Sequence, residues 1–287
     1  MRDALYVICD LLFCIVYSIF MSITFSTCWY NFKAKFDISI YQRWMHNMLS
    51  NVNNYNLVIY TDEAGYNIVQ PYINSKIKVV VKPCEDFYTY KFKEDWIRNH
   101  EINVLLKDKI DWKVNMLWTE KINFVSETIK NQYFVTDFYG WCDIGYFRGR
   151  TNDLDANTLK MWPSPNKINS LDKDKIYYAL VNNDDRDVDK IYNIVNNKNA
   201  NGVPSKPIPP DQTTIAGGFF ILHRDNMNWW HTTYYDKLKL YFDNKQLVKD
   251  DQIIIADCIF SSRQHFCLCK ENNNKFDNWF MFQRILI

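Results

Sequence analysis

The sequence has almost no surplus of charge of either sign. The 287-residue chain contains 34 Lys and Arg against 33 Asp and Glu, which gives a formal net charge of +1. Proteins that grip nucleic acid through its phosphates need a basic surplus or a clear basic patch. The lysines are scattered along the chain, so the sequence argues against a dedicated nucleic-acid binder.

The chain also lacks the short motifs of several common enzyme classes. It has no Walker loop and no G-x-G-x-x-G, which argues against a P-loop ATPase and against a Rossmann dehydrogenase. None of the five histidines forms H-E-x-x-H, and no G-x-S-x-G elbow is present. The function must therefore be argued from the predicted fold and from the polar residues that it brings together.

Eight cysteines are present, but none forms a C-x-x-C pair. The closest two, Cys267 and Cys269, alternate as the residues of one strand face do. A structural zinc site needs four ligands at knuckle-like spacing, and no such set is found. We interpret the cysteines as reduced core residues, which favours a reducing, cytoplasmic location.

The composition is that of a globular protein with a core. Hydrophobic residues make up 47% of the chain and charged residues 23%, while aromatic residues reach 17%. Tyr, Phe, Ile, Asn and Lys are all abundant, and these residues share A/T-rich codons. The composition therefore indicates an AT-rich genome, viral or microbial, as well as a large core.

The N-terminal segment has two interpretations. Residues 4–25 are nearly all apolar, long enough to suggest a membrane anchor, but Asp10 would be costly within a membrane. The run also merges into residues 22–30, which read as the first core strand. We predict that residues 1–21 form a buried helix or extra segment before a single domain of residues 22–287. Membrane association through residues 4–25 is the alternative.

Hydrophobic periodicity predicts an α/β fold. A helix is predicted after Ser39 as its N-cap, and apolar strands and helical stripes alternate through the first half of the chain. This alternation is typical of a Rossmann-like, mainly parallel sheet with helices on both faces. The predicted strands are 21–30, 56–61, 77–81, 132–141, 213–222 and 265–269, and the other predicted helices are 115–131, 188–196, 226–244 and 250–261.

Polar residues at strand ends are the candidates for chemistry, because ligands bind at the carboxyl ends of parallel strands. Asp143 follows a strongly apolar strand, and a carboxylate there can bind Mg²⁺ or Mn²⁺ bridging a diphosphate. The alternative is an aspartate that caps the turn before Gly145. There is no D-x-D pair, because Trp141 stands where the first Asp would be.

A second group of candidates lies later in the chain. Asp250 and Asp251 begin a predicted helix, where one acid suffices as a cap and the other is left for a sugar hydroxyl or a base role. Gly217 and Gly218 in a predicted strand indicate a close approach by ligand or backbone, or a bulge. Among the histidines, only His265 is kept as a second metal ligand.

Several segments, in this order, resemble the HtrL/YibB family of glycosyltransferases. The most specific is WCDIGYFR, which is similar to the family's W-x-D-x-G signature followed by aromatic residues and Arg. The resemblance covers roughly residues 22–287. The other matching segments are ITFSTCWYNFKAKFD, YQRWMHNML, NLVIYTDE, MLWTEKINFV, AGGFFILHRD and DDQIIIADCIF.

For the donor, the resemblance implies a GT-A-like nucleotide-sugar site centred on Trp141 and Asp143. Asp143 would hold the metal or the diphosphate, with Mn²⁺ or Mg²⁺ as the cofactor. Residues at other strand ends and on a helix would complete this site. Thr27 and Trp29 would lie near the nucleotide, Asp62 would contact the base or ribose, and Lys121 would reach a phosphate.

For the acceptor, the resemblance implies that Gly217 and Gly218 let it approach the backbone. Asp251 would be the acid nearest the sugar, with Gln252 as a hydrogen-bonding neighbour, and either Asp250 or Asp251 would be the base. The expected function is transfer of a sugar from a nucleotide-diphosphate donor to a hydroxyl of a glycan, lipid or protein. The alternative is a non-catalytic glycan-binding or structural protein that retains the GT-A fold.

Overall fold

A computed structural model describes residues 23–182 and 184–287 of the chain. The predicted N-terminal segment 1–21 therefore lies outside the described residues. Within them, seven strands form one sheet. The strands are β1 (Ile23–Trp29), β2 (Asn56–Thr61), β3 (Ile77–Val81), β4 (Phe138–Cys142), β5 (Ile176–Ala179), β6 (Phe219–His223) and β7 (Phe266–Cys269).

The strand order in the sheet is β3-β2-β1-β4-β6-β5-β7. Strands β1 to β4 pair in parallel, and β5 pairs in parallel with β7, whereas β6 runs antiparallel to both of its neighbours. The predicted α/β fold with a mainly parallel sheet is therefore confirmed, and the arrangement is consistent with a Rossmann-like architecture. The reversed direction of β6 brings its amino end to the edge where β4 and β5 end.

Helices cover both faces of the sheet. Strand β2 shows the division, because Val58 and Tyr60 belong to one buried cluster while Leu57 and Ile59 belong to another. The helices are α1 (Ile38–Leu49), α2 (Glu63–Val69), α3 (Lys93–Ile102), α4 (Trp112–Lys130), α5 (Ala156–Leu159), α6 (Pro165–Asn169), α7 (Asp185–Asn196), α8 (Met227–Asp243), α9 (Asp251–Ser261) and α10 (Phe282–Ile285).

Helix α4 is the most relevant to the site. It packs on β1 and β4 and also contacts α3, α8 and α9. Because neighbours surround it, its polar residues are buried as well as its apolar ones, and Glu120, Lys121 and Asn123 are all less than 9% exposed. Each of these side chains therefore needs a polar partner inside the protein.

Some element boundaries differ from the sequence-based prediction. The strands predicted at 132–141 and 213–222 are shorter, because Thr136 and Thr214 lie in turns or extended segments outside the ladder. Helix α1 is capped by Asp37, whose carboxylate accepts from the Ser39 N–H at 2.9 Å, rather than by Ser39. Strand β5, helix α3 and the short helices α2, α5, α6 and α10 were not predicted.

The chain order around β1 creates a crevice. From β1 the chain proceeds to β2 and β3 on one side, while β4 lies on the other, so the sheet has a topological switch point between β1 and β4. Open α/β sheets bind ligands at such points. No helix within the described ranges is long and apolar enough to cross a membrane.

Candidate active site

A cleft of about 450 Å³ lies at the switch point, beyond the carboxyl ends of β1 and β4. Residues from α1, α4, the start of α9 and the C-terminal segment complete its lining. Its walls are rich in aromatic side chains, which offer flat apolar surfaces for a sugar ring or a nucleotide base. These include Trp29, Tyr41, Trp44, Trp118 and Trp279.

The Lys121 ammonium lies at the floor of the cleft and joins its two sides. Its Nζ lies 3.2 Å from Asp143 Oδ1 and 3.1 Å from Asp251 Oδ2, and it donates a hydrogen bond of 2.9 Å to the Gly217 carbonyl. Burial opposes its charge, but Asp143 and then Asp251 outweigh that effect and raise the lysine pKa. Lys121 is therefore a fixed, internal cation rather than a helix-surface lysine.

Asp143 follows β4 directly, and one backbone hydrogen bond and one side-chain hydrogen bond orient it. Its N–H donates to the Gly218 carbonyl at 2.9 Å, which extends the β4–β6 ladder by one step. The Trp141 indole N–H donates to Asp143 Oδ1 at 2.6 Å. Trp141 is itself only 1% exposed, so it acts through Asp143. The Asp143 side chain remains 43% exposed and faces the cleft.

Asp251 is the buried acid of the cleft. Its side chain is 5% exposed, and burial raises its pKa to about 6. The Lys121 charge opposes this rise, while Asp250 and Asp143 add to it. A carboxylate with a pKa near 6 is a stronger base than an ordinary aspartate and is still largely ionised at neutral pH.

Asp250 is also buried, but its contacts differ from those of Asp251. It occupies the N-cap position of α9, yet its side chain makes no capping hydrogen bond. Its Oδ2 pairs with Lys249 Nζ at 2.8 Å, and its Oδ1 has no hydrogen-bond partner among the described residues. Capping therefore does not explain either acid at the start of α9.

Gly217 and Gly218 precede β6, and the antiparallel direction of β6 carries them to the cleft. A Cβ on Gly217 would lie 2.6 Å from Asp251 Oδ2, and one on Gly218 would lie 3.0 Å from Asp143 Oδ2. The space beside each glycine is thus taken by a carboxylate. This differs from the expected role of letting an acceptor approach the backbone.

The structure brings most of the predicted site residues together. The cleft is lined by Trp29, Trp141 and Gln252 together with Lys121 and the three aspartates at 143, 250 and 251. Gln252 Oε1 is buried without a hydrogen-bond partner in the described ranges. Thr27 is fully buried within β1 and is not part of the lining.

Asp62 and His265 lie apart from this group. Asp62 caps α2, and its carboxylate accepts from the Gly65 N–H at 2.7 Å. His265 precedes β7, which is an edge strand of the sheet, and its ring stacks on Trp229 with the ring centroids 4.0 Å apart. The structure therefore does not place His265 beside Asp143.

Two further cations line the cleft: Lys35 was not singled out from the sequence, and Arg148 entered only as the Arg that ends the WCDIGYFR segment. Lys35 and Arg148 both line it, and neither has a carboxylate within ion-pair distance among residues 23–182 and 184–287. Lys35 Nζ lies 4.8 Å from the Trp118 ring centroid, and burial lowers its pKa. A basic residue shortly after a predicted strand end was the available signal, since the segments KAKF and YFRGR contain both.

The side chains that line the cleft suit only a metal ion that takes most of its ligands from elsewhere. No cluster of three or more His, Cys, Asp or Glu that would hold a metal occurs in the described part of the chain. Asp143 Oδ1 is engaged by Trp141 and Lys121, whereas its half-exposed carboxylate still faces the cleft. This fits a divalent cation that arrives with a diphosphate and keeps phosphate and water ligands, as Mg²⁺ commonly does.

A scan against protein-family models gives no match, and a search of curated proteins finds no significantly similar sequence. The resemblance to the HtrL/YibB family therefore stays a prediction. The function is argued below from the geometry of the cleft.

Proposed function

We propose that this protein is a glycosyltransferase with a GT-A-like domain that moves a sugar from a nucleotide-diphosphate donor to an acceptor hydroxyl. One observation carries the proposal. At the switch point of the sheet, a half-exposed carboxylate, Asp143, and a buried carboxylate of raised pKa, Asp251, share the single ammonium of Lys121. One acid is thus suited to the donor side and the other to proton transfer.

On the donor side, the departing diphosphate needs positive charge. Lys35 lines the cleft without an acid partner in the described structure, so its ammonium is available to the diphosphate. Asp143 would hold a divalent cation bound to the diphosphate, and this cation would neutralise charge on the leaving group. The aromatic walls, including Trp29 and Trp118, would enclose the base and the sugar.

On the acceptor side, Asp251 acts as the general base. The acceptor oxygen attacks the anomeric carbon, the bond from that carbon to the diphosphate oxygen breaks, and the hydroxyl proton passes to the Asp251 carboxylate. Lys121 keeps Asp251 ionised despite its burial, and Gln252 offers its unpartnered Oε1 to a sugar hydroxyl. Positioning and charge stabilisation supply most of the rate in such a scheme.

Donor hydrolysis across a panel of nucleotide sugars, with Mn²⁺ or Mg²⁺, tests the proposal. We expect hydrolysis of one or a few donors, and Asp143→Asn should lower donor affinity or turnover at least about ten-fold while the protein stays folded. Asp189→Asn, an exposed acid on α7, is the matched control and should behave as wild type.

Two results would count against the proposal. If Asp143→Asn keeps the turnover and nucleotide affinity of the wild type, the proposed role of this carboxylate on the donor side is wrong. Glycan binding without hydrolysis or transfer of any donor would instead favour a non-catalytic glycan-binding protein.

A further inference from the structure

A second depression, of about 440 Å³, adjoins the cleft and is lined by three arginines. Trp44 and Arg148 line both cavities, so the two lie side by side. We call Arg43, Arg148 and Arg150 together the arginine shelf. The shelf lies beside the cleft and does not include Asp143, Asp251 or Lys121.

The turn after the WCDIG segment builds the shelf. Gly149 has a φ of +66°, a conformation that glycine adopts without strain, and it separates Arg148 from Arg150. Asn47 of α1 donates from Nδ2 to the Phe147 carbonyl at 2.9 Å and so ties this turn to the helix that bears Arg43. The three arginines thus come from two segments held together by a hydrogen bond.

Arg148 packs against two aromatic rings but has no carboxylate within ion-pair distance in the described ranges. Its guanidinium carbon lies 4.3 Å from the Trp44 ring centroid and 4.6 Å from that of Phe280. Its Nε donates to the Gly145 carbonyl at 3.4 Å, and among the described residues it has no other hydrogen-bond partner. Burial, reinforced by Arg150, lowers its pKa. Its terminal nitrogens are therefore free to donate to a ligand.

The charges of the shelf do not cancel. Arg150 is paired with Asp153 at 3.3 Å and with Asp277 at 2.6 Å. Arg43, which is exposed on α1, and Arg148 have no acid within ion-pair distance in the described ranges. Two guanidinium groups without an ion-pair partner thus line one depression, and the positive potential there favours an anion.

We propose that the arginine shelf binds a phosphate group of the acceptor. The assignment to the acceptor rests on the proposed glycosyltransferase function, whereas the anion site itself does not. A phosphate monoester carries close to two negative charges, which matches the two uncompensated guanidinium groups better than a carboxylate does. Planar guanidinium forks also match phosphate oxygens in bidentate geometry.

Titration with inorganic phosphate, followed by calorimetry, tests the site in the full chain. We expect saturable binding that weakens about ten-fold or more in Arg43→Gln, since a charge-assisted contact to the anion is lost. Arg263→Gln removes an exposed arginine that lines neither cavity and should leave phosphate binding unchanged. Absence of phosphate binding, or equal binding by wild type and Arg43→Gln, would overturn the proposal.

Competition separates this site from the donor site. Phosphate held on the shelf should still bind when a saturating nucleoside diphosphate is present. Phosphate that is displaced by the nucleoside diphosphate and is indifferent to Arg43→Gln belongs to the donor site, and this result also overturns the proposal.

Acceptor pairs then test the link to transfer. A phosphorylated sugar should have a lower KM than the same sugar without phosphate, and Arg43→Gln should abolish that difference with donor hydrolysis unchanged. Equal KM values for the pair in wild type would overturn the assignment to the acceptor. Arg43-dependent phosphate binding without any nucleotide-sugar use would refute the proposed function while the anion site stands.

Discussion

Asp251 is held in an environment that disfavours its charge. Burial raises its pKa from 3.8 to about 6, and its Oδ2 has no hydrogen bond of good geometry among the described residues, although Lys121 Nζ lies 3.1 Å away. The short distance between opposite charges makes this contact an ion pair. A buried ion pair of this kind is weak evidence for stability and stronger evidence for a functional role.

Asp251→Asn should therefore separate stability from activity. The native pKa is raised, so the native state binds a proton more tightly than the unfolded state, and the ionised carboxylate lowers stability as pH rises from about 4 to 6. Relative to wild type, the free energy of unfolding of the variant should rise by on the order of 2–3 kcal/mol over that pH range. Urea unfolding of both proteins between pH 4.5 and 7.5 measures this difference.

Turnover of the same variant provides the second half of the test. Transfer should fall at least about a hundred-fold, since the base is lost. A difference in unfolding free energy that stays flat with pH would show that Asp251 is not held in a charge-disfavouring site.

At the level of elements, the direction of β6 sets the geometry of the cleft. An antiparallel strand places its amino end, and with it Gly217 and Gly218, among the carboxyl ends of the parallel strands. The backbone leading into β6 then packs directly against both carboxylates. The absence of side chains at these two positions is what allows the acids to lie so close to the strand.

Substituting the two glycines should have unequal effects. In Gly217→Ala, the new Cβ meets the buried Asp251 carboxylate at 2.6 Å, so stability should fall by about 1–3 kcal/mol. In Gly218→Ala, it meets Asp143 Oδ2 at 3.0 Å, and that half-exposed side chain can move. Gly218→Ala should then lose donor affinity with little loss of stability. Chemical unfolding and nucleotide titration compare the two, and a larger stability loss in Gly218→Ala would contradict this account.

Patterns in the sequence predicted the features that depend on a single strand or helix. Strands Asn56–Thr61 and Ile77–Val81 were predicted with their observed bounds, because each is a short β-branched run bounded by turn residues. Asp143 at a strand end followed from the same logic, whereas the choice of Asp251 as the acid nearest the sugar came from the resemblance to the HtrL/YibB family. The fold class could be predicted because alternation of strands and helices restricts the sheet to few arrangements.

The remaining features depend on contacts between distant segments. The direction of β6 has no local signal, since an apolar strand reads alike in either orientation. Lys121 falls on a regular helical stripe, and only the packing of other helices around α4 shows that its ammonium is buried. The same applies to Arg148, whose lack of a counter-charge is a property of its neighbours.

At the level of the whole molecule, stability should not depend on a divalent cation. The described residues contain no cluster of metal-binding side chains, and Lys121 already supplies a positive charge between Asp143 and Asp251. EDTA, or Mn²⁺ alone, should therefore shift the melting temperature by less than about 1 °C. Mn²⁺ added together with a nucleoside diphosphate should raise it by several degrees, because only the complex binds the native state tightly.

Scanning calorimetry with the four combinations of cation and nucleotide makes this measurement. A large stabilisation by Mn²⁺ alone would indicate a metal site already formed by the protein. If Mn²⁺ adds no stabilisation in the presence of the nucleotide, the proposal that a cation binds at the donor site is wrong.

The contact between Lys121 and Asp251 also constrains when the cleft is first complete during synthesis of the chain. Helix α4 leaves the ribosome long before α9, so the nascent chain holds the lysine and Asp143 without the second acid. The two halves of the cleft meet only after α9 has been made and has docked. A chain that terminates before Asp250 would leave the ammonium with Asp143 alone and would lack the proposed base. Translation errors and proteolysis at that point would release fragments in which the cleft is incomplete.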